Sequence, residues 1–139
     1  MTTTPADAMS ATITTDADLY RFWVALMGPL GFTKRTLWLA VFDQDGRPIP
    51  IINPVEDIPL EPSRFLPQWA TFSRAVGEAT EAHSAAVLFS RPGPGPMTAR
   101  DRRWARAIAA SHDGPARLWP THFANDQHLL AFAPDDLVE

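Results

Sequence analysis

Four histidines, His83, His112, His122 and His128, are the first candidates for metal ligation or proton transfer. None stands at the HxH or HxxxH spacing that aims two imidazoles at one ion. His122 and His128 flank Asn125-Asp126-Gln127, a turn between two apolar runs. A two-residue hairpin loop would put these histidines on opposite faces of the hairpin, and a three-residue loop on the same face. No metal ligand set follows from the spacing.

Ser90 ends the apolar run Ala85-Ala86-Val87-Leu88-Phe89, a productive address for a nucleophile. It lacks a G-x-S-x-G elbow, and no base is assignable to it. Anion binding is the next chemistry to weigh. Thr98-Ala99-Arg100-Asp101 starts a helix with a hydroxyl-to-acid capping pair, and Arg91 and Arg100 lie close by. Pro92, Pro94 and Pro96 have no N–H, so the loop is poor at cradling phosphate. Asp101 also adds negative charge at the helix start. Arg102, Arg103 and Arg106 read as a solvated face of the same helix. Glu56-Asp57 would meet Asp101 only if the connection after the preceding hairpin folds over the end of the central strand.

The elements that must position these groups are legible in order. Residues 1–14 are Thr/Ala-rich without apolar period and read as disordered. Residues 15–139 read as one domain. Thr15 and Asp18 cap a helix whose apolar face carries Leu19, Phe22, Trp23 and Leu26. Tyr20 and Trp23 are its candidate interaction surface. Residues 36–42 read as a strand, Asp45-Gly46 as a hairpin turn, and residues 47–53 as a returning strand. Pro48 and Pro50 put that strand at a sheet edge, or limit its ladder pairing to one side. A helix opens near Ser63 and runs to about Ala82, with Phe65, Trp69, Phe72 and Val76 on one face. The run 85–89 is too continuously apolar to be half exposed and reads as a central strand. Trp104, Ala107 and Ile108 line the helix that follows. Residues 116–124 and 128–133 read as two strands joined in a hairpin, followed by an exposed acidic tail, 135–139.

The order α-β-β-α-β-α-β-β asks for an α/β domain of three-layer type. It would have one mixed sheet of about five strands with helices on its faces. The chain has 139 residues, 45% hydrophobic and 20% charged, with a net charge of −4. That balance fits a globular domain and argues against a broad nucleic-acid or membrane surface. No cysteine is present, which removes disulfide, zinc-thiolate and cysteine-nucleophile chemistry. No apolar run approaches the ~20 residues of a membrane helix, and the N-terminus lacks a signal-peptide pattern, so a cytoplasmic location is expected.

In element order and loop character, residues 37–133 resemble the JAB/MPN metalloprotease-type domain, in particular its RadC-like branch, itself similar in architecture to cytidine deaminases. In that family a central strand ends in an HxHPSG motif, and a Pro-rich loop and an S-x-x-D helix start follow. A later strand carries a DH motif. Ser90-Arg91-Pro92-Gly93 stands in the place of the histidine motif, and Thr98-Ala99-Arg100-Asp101 matches S-x-x-D. Pro120-Thr121-His122 falls where the DH motif would be, and Glu56 is a counterpart of the acid after the hairpin.

Both histidines of the central motif are absent, whereas a zinc hydrolase needs at least three protein ligands. The resemblance therefore implies a metal-free relative without a cofactor. It would be a non-catalytic binding or scaffold module acting through a protein partner or self-association. The alternative is a small-molecule or nucleotide-binding enzyme using a cleft at the 90–101 loop. Arg91, Arg100, Glu56 and His122 would supply its polar groups, with Thr98 and Asp101 at the helix start.

Overall fold

The apolar runs become strands of one mixed sheet, described for residues 5–137 in a computed structural model. In chain order the elements are α1 (Pro5–Met9), α2 (Asp16–Met27), β1 (Thr36–Phe42), β2 (Pro48–Glu56), α3 (Leu66–Thr80), β3 (Ser84–Ser90), α4 (Ala99–Ser111), β4 (Arg117–Leu118), β5 (His122–Ala124) and β6 (Leu129–Ala131). A 3-10 turn, Pro134–Leu137, closes the described chain. Among the described residues, no helix is long and apolar enough to cross a membrane.

The sheet runs β2-β1-β3-β5-β6, with β4 also beside β3. β2, β1 and β3 are antiparallel neighbours, β3 is parallel to β4 and β5, and β5 and β6 form an antiparallel pair. β3 is buried along its whole length, as a central strand covered on both faces must be. Its alternation sorts the core into two layers. Ala85, Val87 and Phe89 pack with Trp69, Trp104 and Ile108 of α3 and α4. Ala86 and Leu88 pack with Leu19, Phe22 and Trp23 of α2. The expected three-layer α/β arrangement is what these layers make.

Several elements differ from the sequence reading. Residues 5–14, expected to be disordered, form α1 and a segment that leads on to α2, with Ile13 against the β1–β2 turn; residues 1–4 lie outside the described residues. Ala8 and Ile13 are buried, and the Ile13 N–H donates to the Gly46 carbonyl at 2.8 Å. Gly46 has φ +79, and a Cβ there would run into the Ile13 carbonyl oxygen. The turn glycine thus also makes room for the N-terminal segment. β2 continues through Pro54 to Glu56, beyond the expected strand end at Asn53.

Helix α3 is capped by Phe65 without a side-chain bond, not by Ser63, and Pro67 sits in its first turn. The expected strand 116–124 is split into β4 and β5, because Pro120 cannot continue the ladder. On α4, Ala105 rather than Ala107 joins Trp104 and Ile108 in the buried face. Of the acidic tail, Asp135 and Asp136 belong to the 3-10 turn, and Val138 and Glu139 lie outside the described residues.

Candidate functional site

At the C-terminal end of β3 the strand alternation separates two side chains that are adjacent in sequence. Ser90 faces the α2 layer, where its hydroxyl oxygen accepts the Trp38 indole N–H at 2.9 Å. Arg91 turns to the other face, its guanidinium 5.2 Å from the centre of the Phe123 ring. Thr98 caps α4 and places Asp101 at the third helical position. Its hydroxyl accepts the Asp101 N–H at 3.2 Å, and Asp101 Oδ2 accepts the Thr98 N–H at 2.8 Å.

The capping geometry aims the carboxylate back at Arg91. Arg91 Nε donates to Asp101 Oδ1 and Nη2 to Oδ2, both at 2.8 Å, a two-pronged ion pair. Its Nη1 donates to the Pro92 carbonyl at 3.0 Å. The Asp101 side chain is 1% exposed and that of Arg91 13%. Burial alone would push the Asp101 carboxyl up. The Arg91 hydrogen bonds, the Thr98 N–H and the Arg91 charge outweigh it and hold the carboxyl below its usual range. The same bonds raise Arg91, against burial.

The Pro/Gly loop above this pair is fastened to the β5–β6 turn. Its glycines carry N–H groups that its prolines lack, and the turn receives them. Gly93 donates to Asp126 Oδ2 at 2.9 Å and Gly95 to Gln127 Oε1 at 3.0 Å. In return Asn125 Nδ2 donates to the Gly95 carbonyl at 2.8 Å and the Asp126 N–H to the Gly93 carbonyl at 3.1 Å. Both glycines have positive φ, +101 and +93, which an L side chain would strain. Asp126 Oδ1 also accepts the Phe32 N–H, so one carboxylate ties together the chain after α2, the loop and the turn. Those two backbone N–H bonds hold the Asp126 carboxyl below its usual range.

The other expected site residues are distributed around this junction. Arg100 and Arg103 both donate to Glu61, which arrives on the connection after β2. The connection does fold over α4, and the Leu60 carbonyl accepts the Trp104 indole N–H at 2.9 Å. It brings Glu61 there, however, and leaves Glu56 at the sheet edge, paired with Lys34 at 2.9 Å. Arg35, which sequence reasoning did not single out, lies 5.2 Å over Phe89, with its Nε buried and without a hydrogen-bond partner. Burial lowers its pKa, as do Arg100 and Arg91, while Asp101 and Glu61 oppose.

His122 does not join Arg91. It is buried in the α2 layer, its ring centre 6.4 Å from that of Tyr20 and its Nδ1 donating to the Pro120 carbonyl at 3.2 Å. Burial holds it below the ordinary histidine pKa. Ala124 pairs with Leu129, so the loop has neither length weighed from the sequence. Its four residues, 125–128, leave His128 exposed in the turn. Among the described residues, no group of three or more His, Asp or Glu is placed to hold a metal ion. A divalent cation directed at Asp101 would meet a guanidinium already on both carboxylate oxygens.

The expected interaction surface also divides. Tyr20 is 43% exposed, whereas Trp23 is fully buried on the inner side of α2, edge-on to Phe22. Trp23 lies four residues from Leu19 on the apolar stripe, and that stripe faces the sheet. Asn125, Asp126 and Gln127 were legible only as a turn. No protein-family model matches the chain, and no curated protein matches its sequence.

Proposed function

We propose that the chain is a non-catalytic binding module of JAB-like architecture that acts through protein–protein contact. The observation that carries this reading is the Arg91–Asp101 pair. The address at which an α/β domain usually places its chemistry is filled by a buried ion pair whose charges answer each other. In the resemblance drawn from the sequence, Asp101 is the acid of the S-x-x-D start and Arg91 stands within the displaced histidine motif. The guanidinium then supplies the positive charge a metal ion would bring, without a Lewis acid's open coordination position. The element order supports the architecture. The fastening of the Pro/Gly loop supports a structural use of the junction.

The alternative, an enzyme built from Arg91, Arg100, Glu56 and His122, finds less support. His122 lies in the opposite layer, Glu56 pairs with Lys34, and Arg100 pairs with Glu61.

The test is elemental analysis of the full chain, followed by calorimetric titration with zinc chloride. The expected result is no stoichiometric zinc and no saturable binding. One tightly bound zinc per chain, lost in Asp101→Asn, would overturn the reading.

A further inference from the structure

The two edges of the sheet are built differently. β2 carries Pro48, Pro50 and Pro54, all of one parity along the strand. Proline cannot donate to a ladder, so Pro48, Pro50 and Pro54 thin the donors of this edge strand, whose register is also broken between Ile52 and Pro48. β6 has no such block. The Asn125 N–H donates to the His128 carbonyl, and the Phe132 N–H to the Thr121 carbonyl. With Leu130 opposite Phe123, these bonds mark 128, 130 and 132 as the residues that face β5. Leu129 and Ala131 therefore turn their N–H and C=O groups outward. Among the described residues, no backbone group of another element meets them.

We propose that this edge receives a second copy of the chain, β6 against β6, antiparallel about a two-fold axis, so that one sheet runs through both copies. The edge is self-complementary in that orientation. Leu129 of one copy faces Ala131 of the other, and each such pair exchanges both backbone hydrogen bonds. Leu130 meets its own copy on the axis.

The same operation covers exposed apolar side chains on both faces. On one face it sets α2 beside α2, over Tyr20 and Val24, which are 43% and 39% exposed around a depression of about 430 Å³. On the other it covers Leu130, 40% exposed beside Met97 in a depression of about 300 Å³.

The inference deepens the binding-module reading by naming its partner, and it rests on that reading for its biological sense. Sedimentation velocity of the full chain over increasing concentration tests it. The expected result is a monomer–dimer equilibrium. Leu130→Lys sets like charges together on the axis, and Val24→Glu charges the covered α2 face. Each is expected to weaken the dimer by about tenfold or more. Ile51→Lys on β2, where the native side chain is 42% exposed, is expected to leave it unchanged. All three sites are exposed, so the urea midpoints of the monomers are expected to match the wild type, which separates lost contact from lost fold.

A wild-type chain that stays monomeric at every concentration overturns the proposal. So does a dimer broken by Ile51→Lys and indifferent to Leu130→Lys. A zinc-free monomer rejects this occupant and leaves the module reading standing. A zinc-binding dimer rejects that reading and keeps this one.

Discussion

The junction after β3 and the free edge of β6 are separated by a single strand, and they use their polar groups in opposite ways. At the junction, Arg91, Asp101 and Thr98 satisfy one another, and the glycine N–H groups of the loop are taken up by the β5–β6 turn. At the edge, Leu129 and Ala131 present backbone donors and acceptors to the outside. Sequence convention points to the first place for function, because a strand end next to a helix start is where ligands usually sit. Polar satisfaction points to the second, because a group that already has its partners has little left to offer a ligand.

The comparison breaks most sharply at Asp101. Asp101→Ala leaves the Arg91 guanidinium without its carboxylate and removes the acid half of the capping box, while Thr98 keeps its bond to the residue 101 N–H. It is expected to cost about 3–5 kcal/mol in urea unfolding, the usual range for one partner lost from a buried pair. A cycle through Arg91→Met, Asp101→Asn and the double variant is expected to show a coupling of about 2 kcal/mol. Additive costs would mean the pair is not structural.

His122 sharpens the comparison from the α2 layer. Its pKa lies below the ordinary value of 6.5 when folded, so the unfolded chain binds more protons as the pH falls through that value. The contribution of neutral His122 is therefore complete above about 6.5 and is lost on acidification. The urea midpoint is expected to fall between about pH 7.5 and about pH 5.5, and His122→Phe is expected to flatten that fall. An unchanged slope would place the acid sensitivity elsewhere.

Asp126→Ala unfastens the loop without touching the ion pair. Exchange of the Gly93 and Phe32 amides is expected to quicken by about tenfold or more, with the core amides unchanged. The smallest effect belongs to Arg100, which stood among the site candidates read from the sequence. Its bond to Glu61 is exposed, and Arg100→Ala is expected to change stability by no more than about 0.5 kcal/mol in urea unfolding.

What the sequence disclosed and what it withheld follow one physical line. The Thr98–Asp101 cap and the buried β3 are local signals, a residue spacing and an apolar run, and both stand where the sequence put them. Arg91–Asp101 required two further facts: strand alternation turning Arg91 toward α4, and the intervening loop bringing the helix start back over it. The Asp126 fastening spans 33 residues, and no local spacing announces it. The order of residues 5–14 depends on α2 and on the β1–β2 turn, surfaces that only the assembled fold brings to it. The break between β4 and β5 is a different case, since Pro120 marked it in the sequence by its missing N–H.

The most direct measurement is amide hydrogen exchange, followed residue by residue at low and high protein concentration. The account predicts that the Gly93 and Gly95 amides are protected at both concentrations, and that those of Leu129 and Ala131 become protected only at the higher one. Unprotected glycine amides would contradict the closed junction, and Leu129 and Ala131 amides indifferent to concentration would contradict the open edge.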